Sequence, residues 1–284
     1  MYDTSVIRSA QIVFVAGDPA GKVINAQPGL RNIESRGMLI DQILIESEQA
    51  GSTGALVELK WRDNPITNGF VALGAVARVL NRRMETGAAA GPVSALKFAR
   101  PIYLPASEYI SVAVQNSLAN GGTGLNTINI SAVGRLVDEP PAERYLPYLA
   151  DYLGPVYTDN TGNAISDQST PGDLANPFGV PLTVERLVGR VLVAAATGGP
   201  YRDADPAAIW TTYLIRISDH RDHFWTPVAT PFAIVFNSSD RSWILNMPLE
   251  PKGFLRAEFE GTANVVGSGF SRVAIGMLGY RRIS

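Results

Sequence analysis

The fold of this chain is decided by residues 101–137, PIYLPASEYISVAVQNSLANGGTGLNTINISAVGRLV, because a similar stretch occurs at residues 246–283, NMPLEPKGFLRAEFEGTANVVGSGFSRVAIGMLGYRRI. A displacement of 145 positions aligns the two without a gap, and the identities include Leu104 with Leu249, Gly122 with Gly267, Gly124 with Gly269, Ile130 with Ile275 and Gly134 with Gly279. Alternation of apolar and polar residues around Tyr109 and Phe254 indicates half-buried strands, and the Gly-rich breaks indicate turns. We therefore predict paired β-strands in both copies.

The composition favours many short strands over helices. The chain has 284 residues, of which 46% are hydrophobic and only 18% charged, with 27 Gly and 19 Pro. This length can bury one large core or two of ordinary size, and the repeat favours two. A formal charge of -2 gives no general attraction to nucleic acid or anionic membrane, so we expect no specific nucleic-acid recognition.

Several functional classes are excluded by what the sequence lacks. There is no cysteine, which excludes disulfides, thiolate chemistry and zinc ribbons. The first residues, MYDTSVIRSAQIVFVAG, have no basic segment followed by a long apolar one, so no secretory signal is expected. The longest apolar runs are far shorter than the roughly 20 residues of a membrane span.

Further blocks repeat in the same order along the chain. Residues 38–47 match residues 186–195 at a displacement of 148, and residues 57–63 match Tyr213–Asp219 at 156. Residues 75–81 match residues 231–237, also at 156. The displacement changes where turn residues lie, as insertions into surface loops would produce. An internal duplication is the prediction.

The organisation predicted from these blocks has four parts. Residues 1–36 are either an N-terminal arm or a first strand of the same domain, residues 37–137 form a first jelly roll, residues 138–180 connect, and residues 181–284 form a second jelly roll. Within the connection, residues 143–152 have leucines and aromatics at helix-like spacing around Pro147, which predicts a short kinked helix or an irregular packed segment. The predicted fold class is all-β, with two tandem Greek-key barrels.

The only two histidines, His220 and His223, lie beside Asp219 and Asp222. Imidazoles three positions apart with flanking carboxylates could share a metal ion or act as acid and base. A polar turn between two strands is the favoured interpretation, because the aligned segment of the first copy, residues 62–65, is an ordinary turn. No catalytic, metal-binding or cofactor-binding residue is assigned, and no cofactor is expected.

Other chemical signals have ordinary structural explanations. Gly121–Gly124 lies between two predicted strands with no following lysine or helix, which favours a hairpin loop over a phosphate site. A pair of acids such as Glu58 and Glu258 could hydrolyse glycans if a concave sheet brought them together. The arginine pairs at 82–83 and 281–282 are interpreted as solvated edge charges rather than a nucleic-acid patch. The four tryptophans favour cores or subunit contacts over a sugar-binding platform.

Tandem jelly rolls without cysteines, signal peptide or catalytic constellation resemble the double jelly-roll major capsid proteins of tailless icosahedral phages and adenovirus-like viruses. The paired blocks at roughly 37–137 and 181–283 carry this resemblance. It implies a non-enzymatic structural protein of the virion capsid, assembled in the host cytoplasm. It also implies homotrimers whose six barrels form pseudo-hexameric tiles, with neighbouring capsomers, minor capsid or vertex proteins and an underlying membrane as partners.

Two other classes of function stay open from the sequence. A phage attachment or carbohydrate-binding β-sandwich protein would show one set of exposed recognition loops and no higher assembly. A two-jelly-roll glycan hydrolase would show a cleft of acids between the barrels.

Overall fold

The computed structural model describes residues 5–19, 21–47, 55–70, 93–116, 126–159, 172–194, 202–203, 213–237, 242–261 and 269–283. These residues divide into two compact units. Unit 1 comprises residues 1–149 with 280–284, and unit 2 comprises residues 150–279. Two strands run through this division, so each contributes one part to each unit. Among the described residues no helix has the length and hydropathy of a membrane span.

Unit 1 is built from two sheets. Its strands are β1 (Ser5–Phe14), β2 (Val23–Asn25), β3 (Leu30–Arg31), β4 (Gly37–Ser47), β5 (Ala55–Trp61), β6 (Asn64–Pro65), β7 (Val93–Leu104), β8 (Tyr109–Asn116), β9 (Asn126–Val137) and the start of β10 (Arg144–Asp159). One sheet has the order β1-β9-β4-β7-β10, and the other β2-β8-β5-β6 with β3 also on β8. Side chains such as Phe14, Met38, Leu59 and Ile130 are fully buried.

Unit 2 repeats this order. After the second part of β10 come β11 (Gly172–Ala175), β12 (Leu182–Ala194), β13 (Arg202–Asp203), β14 (Tyr213–Asp219), β15 (Thr230–Pro231), the short helix α1 (Phe232–Val235), β16 (Ser242–Leu249), β17 (Phe254–Gly261) and β18 (Gly269–Ile283). One sheet has the order β10-β18-β12-β13 with β16 also on β12, and the other β11-β17-β14-β15. This is the strand order of unit 1, except that β13 is additional and β11 alone takes the place of β2 and β3. The predicted all-β fold with two jelly rolls is confirmed.

The N-terminal residues belong to unit 1 instead of extending from it as an arm. Strand β1 pairs antiparallel with β9 along its whole length, from Ser5 opposite Arg135 to Phe14 opposite Asn126. Alternate side chains of β1 are buried, Ile12 and Phe14 among them, so the strand contributes to the core. Within residues 1–36, strands β1, β2 and β3 therefore belong to the jelly roll.

The helix predicted at residues 143–152 is wrong, because these residues begin strand β10. Leu146, Tyr148, Leu149 and Ala150 are all buried. A strand that is buried on both faces has no alternation, and a short apolar run of this kind cannot be told from a helix by spacing. The only helix among the described residues is α1, which lies in unit 2.

Both units contain an irregularity at the same place in a central strand. The register of β4 shifts between Ile40 and Gln42, and that of β12 shifts between Val184 and Arg186. In β4 the extra residue keeps Met38 and Ile40 before it, and Ile43 and Ile45 after it, on the buried side of the sheet.

At each irregularity the neighbouring strand has a glycine, Gly134 in β9 and Gly279 in β18, because there is no room for a side chain there. A Cβ on Gly134 would lie 1.9 Å from the carbonyl oxygen of Leu39, and one on Gly279 would lie 2.8 Å from that of Thr183.

Candidate functional site

The two histidines lie in a tight turn after β14. The carboxylate of Asp219 accepts hydrogen bonds from the backbone N–H groups of Arg221 (2.8 Å) and His223 (3.0 Å), which closes the turn. His220 lies against the ring of Phe254, and His223 is exposed. The described residues contain no group of three or more metal-ligating side chains. The side chain of Asp219 therefore binds backbone N–H groups of the turn, which is an ordinary structural role for an aspartate.

The two acids considered for glycan hydrolysis belong to different units. Glu58 lies on β5 and forms an ion pair with Lys60 at 2.8 Å, whereas Glu258 lies on β17 with Arg216 at 3.8 Å. Each has a basic partner on the surface of its own unit. Gly121–Gly124 and Arg82–Arg83 lie outside the described residues.

The interpretation of Arg281 as a solvated edge charge is wrong, because this residue is only 4% exposed. Its guanidinium donates to the carbonyl oxygen of Pro65 and to the side-chain oxygen of Asn64, both at 3.4 Å. Burial lowers the pKa of Arg281 to about 10, and burial raises the pKa of the neighbouring Tyr148 to about 12. Arg282 is exposed and forms an ion pair with Glu143 at 3.4 Å.

Arg281 is one part of a cover over one side of unit 1. We call this side the unit 1 edge, defined as residues 64–69 together with β7. The backbone N–H of Leu149 donates to the carbonyl oxygen of Ile66, and the N–H of Asn68 donates to that of Leu149, both at 2.8 Å. Tyr145 is paired with Ile102 of β7 in the parallel direction. The start of β10 thus covers both parts of the edge.

Aromatic side chains complete the cover on β7. The guanidinium of Arg100 lies 4.0 Å from the ring centre of Tyr145 and 4.6 Å from that of Tyr280. The two rings meet edge to face at 5.7 Å. The Tyr145 hydroxyl donates to Glu143, and this hydrogen bond holds the pKa of Tyr145 above and that of Glu143 below its ordinary value. Cation–π contacts of this kind contribute about 0.5–2 kcal/mol each.

In unit 2, none of the residues that the structure describes forms such a cover over the corresponding side. The correspondence is fixed by hydrogen bonds: the N–H groups of Ile66 and Thr67 donate to Leu59, and those of Trp225 and Thr226 donate to Ile217. The hydroxyl oxygens of Thr67 and Thr226 accept from the N–H groups of the same two residues, at 2.9 and 2.7 Å. Residues 223–228 of unit 2 are therefore the counterpart of residues 64–69, and β16 is that of β7.

The exposure of the two sides differs. At matching positions, Ile66 is fully buried but Trp225 is 40% exposed, and Pro65 is half-buried but Phe224 is 49% exposed. Val228 and Ile244 on β16 are each 67% exposed, and they place apolar surface where the exposed counterparts in unit 1 are Gly69 and Lys97. Among the described strands, β16 pairs with β12 alone. We call these residues the unit 2 open edge. From the sequence, Trp225 is one of four tryptophans interpreted as core or subunit contacts, and nothing in the sequence of residues 224–228 indicates that they are exposed.

The comparisons with solved structures bear on the fold. A structure of Sulfolobus turreted icosahedral virus aligns with a TM-score of 0.50 and 12% identity, over 97% of this chain and 90% of that one. The fold is that of the double jelly-roll capsid proteins. The major capsid protein P2 of bacteriophage PM2 aligns over 99% of this chain and 98% of its own, with a TM-score of 0.49 and 9% identity. The mavirus major capsid protein aligns over 98% and 89%, with a TM-score of 0.46 and 8% identity. No protein-family model and no curated protein matches the chain by sequence.

Proposed function

We propose that this chain is a major capsid protein, three copies of which form a pseudo-hexameric tile of an icosahedral virion shell. The observation that carries the proposal is the presence of two jelly-roll units with the same strand order in one chain. A hexagonal position in a shell needs six similar blocks, and three copies of a two-unit chain supply six.

The interiors of the two units support this role, because they are built to the same plan in detail. The side-chain amide of buried Asn32 donates to the carbonyl oxygens of Arg36, Leu104 and Pro105, and its oxygen accepts from the N–H of Glu34. Asn176 makes the corresponding four contacts in unit 2, to Val180, Leu249, Glu250 and Phe178. Two blocks with one plan can occupy similar places in a ring.

The role is structural and non-enzymatic under this proposal. It is supported by the ion pairs of Glu58 and Glu258 and by the hydrogen bonds with which Asp219 closes a turn. The chain would be located in the virion capsid after assembly in the host cytoplasm. Its partners would be other copies of itself and neighbouring capsomers, with minor capsid or vertex proteins and a membrane beneath the shell as further contacts.

Size-exclusion chromatography with light scattering tests the proposal directly. The purified chain should elute with three times the mass of one chain, and negative-stain electron micrographs should show pseudo-hexagonal particles. A chain that stays monomeric at every concentration, or that hydrolyses a glycan and loses this activity when one acid is replaced, would contradict it.

A further inference from the structure

We infer that the unit 2 open edge is the surface on which unit 1 of a neighbouring copy of this chain docks, an inference that rests on the proposed capsid function. The unit 1 edge is covered within its own chain by the start of β10 and by residues 280–282. The unit 2 open edge has the same backbone plan but exposes Phe224, Trp225, Val228 and Ile244. One chain thus carries one covered edge and one open edge of the same kind.

This asymmetry selects a second copy as the occupant. A contact between an open edge on one copy and a different surface on the next is head to tail, and it closes into a ring when the rotation between copies allows it. In the ring, every edge is covered, one by the same chain and the other by the neighbour. Aromatic residues such as Phe224 and Trp225 are enriched in the buried centres of such interfaces.

The repeat also identifies the covering residues on the neighbour. In unit 1 the cover includes Tyr280–Arg282, and the displacement of 145 that relates Gly134 to Gly279 relates these residues to Arg135–Val137. Residues 135–137 form the end of β9. We place the end of β9 of one copy against residues 224–228 of the next, in the position that residues 280–282 occupy over residues 64–69.

Replacing the exposed aromatics tests the docking surface. The double variant Phe224→Ser/Trp225→Ser should raise the dissociation constant of the trimer at least about tenfold in sedimentation experiments, since truncating central aromatic anchors has effects of this size. Val228→Arg places a charge on the same surface at an exposed position and should do the same. Val23→Ser is the matched control: Val23 is 42% exposed on β2 of unit 1, and this variant should assemble like the unchanged chain. Circular dichroism and thermal unfolding of the monomers check that each variant is folded.

Cross-linking tests the identity of the occupant. Because the chain contains no cysteine, Val137→Cys/Val228→Cys has only the two thiols introduced, and a short bis-maleimide should convert it into covalently joined copies. Each single variant should give much less product.

The outcomes separate the two proposals. If the unchanged chain is monomeric, the proposed capsid function is contradicted. An unchanged chain that forms trimers, together with aromatic and charge variants that form equally stable trimers, overturns the docking surface alone. Cross-linking of the double variant no greater than that of the single variants also overturns it, as does equal loss of assembly in Val23→Ser.

Discussion

The two units of this chain agree in their interiors and differ at one edge. Inside, each has a buried asparagine with four matching contacts, a buried threonine that caps the same backbone group, and a glycine beside the same strand irregularity. At the edge, the residues over Ile66 in unit 1 have no counterpart over Trp225 among the described residues of unit 2. The shared features are those that a jelly roll needs to fold, and the difference lies where a neighbour can attach.

The agreement between the units has a physical cause in the buried polar groups. A polar group that is removed from water must be hydrogen bonded, so its partners cannot drift independently. Asn32 ties the segment after β3 to the turn between β7 and β8, and changing any one contact leaves another buried group without a partner. Surface positions carry no such constraint, which allows one edge to be covered and the other to stay open.

The largest expected loss of stability follows from replacing the glycine beside the strand irregularity in each unit. Gly134→Ala should lower the free energy of unfolding by more than about 4 kcal/mol, because its Cβ would overlap a backbone oxygen that cannot rotate away. Gly279→Ala should lower the free energy of unfolding by only about 1–3 kcal/mol. Its Cβ would lie 2.8 Å from the carbonyl oxygen of Thr183, and a small backbone shift relieves a contact of that length. Calorimetry of the monomeric variants measures the difference.

Gly179→Ala is the control for these glycine variants. A Cβ on Gly179 would meet nothing within 4 Å, so this variant should unfold like the unchanged chain. Equal destabilisation by Gly134→Ala and Gly279→Ala would contradict the prediction, because the neighbouring backbone oxygen lies closer to Gly134 than to Gly279.

The second prediction is that the two buried asparagines contribute equally to the stability of their units. Asn32→Ala and Asn176→Ala should each lower the free energy of unfolding by about 3 kcal/mol, because each leaves buried carbonyl oxygens and an N–H group without a partner. Urea unfolding, with hydrogen exchange reporting on each unit, should show the loss in the unit that carries the change. Asn25→Ala, at an exposed position on β2, should change the stability by less than about 0.5 kcal/mol. Similar losses at all three positions would show that the buried contacts are not what the units share.

The duplication could be predicted from sequence in the block where glycines recur at a fixed displacement, and it was misaligned elsewhere. The displacement of 145 places Leu104 with Leu249 and Gly134 with Gly279, as the structure does: Leu104 lies opposite Met38, and Leu249 opposite Leu182. These pairs relate β4 to β12 by 144 positions, so the predicted 148 is wrong by four. The hydrogen bonds of Leu59 and Ile217 relate β5 to β14 by 158, so the predicted 156 is wrong by two. Both errors are even numbers, because an alternating strand matches itself at any even shift. Residues 75–81 lie outside the described residues.

The candidate site was harder to predict for a different reason. Two of the four contacts of Asn32, and two of those of Asn176, reach residues more than 70 positions away, and a single asparagine after a short strand gives no sign of them. The burial of Arg281 likewise depends on residues 64 and 65, far away along the chain. An arginine pair at the end of a strand is usually solvated, and only the tertiary structure shows that one of the two is covered.

The smallest expected change in stability concerns Arg281 at the unit 1 edge, and it is seen only at high pH. The unchanged chain has two opposing contributions there. Burial lowers the pKa of Arg281 from its ordinary value to about 10, so the cost of its buried charge is relieved and stability rises as the pH increases above 10. The pKa of Tyr148 rises from 10.0 to about 12, so stability is lost as the pH increases over the same range.

Arg281→Met removes the first contribution and keeps the second. Its stability at neutral pH should change by less than about 1.5 kcal/mol, because an apolar side chain of similar length can replace a buried charge without a large penalty. Between pH 10 and 12 its stability should then fall more steeply than that of the unchanged chain. Arg282→Met, at the exposed position, should follow the unchanged chain throughout, since an exposed ion pair contributes little. Parallel pH profiles for Arg281→Met and the unchanged chain would mean that the guanidinium is solvated, and the unit 1 edge would then be no better covered than its counterpart in unit 2.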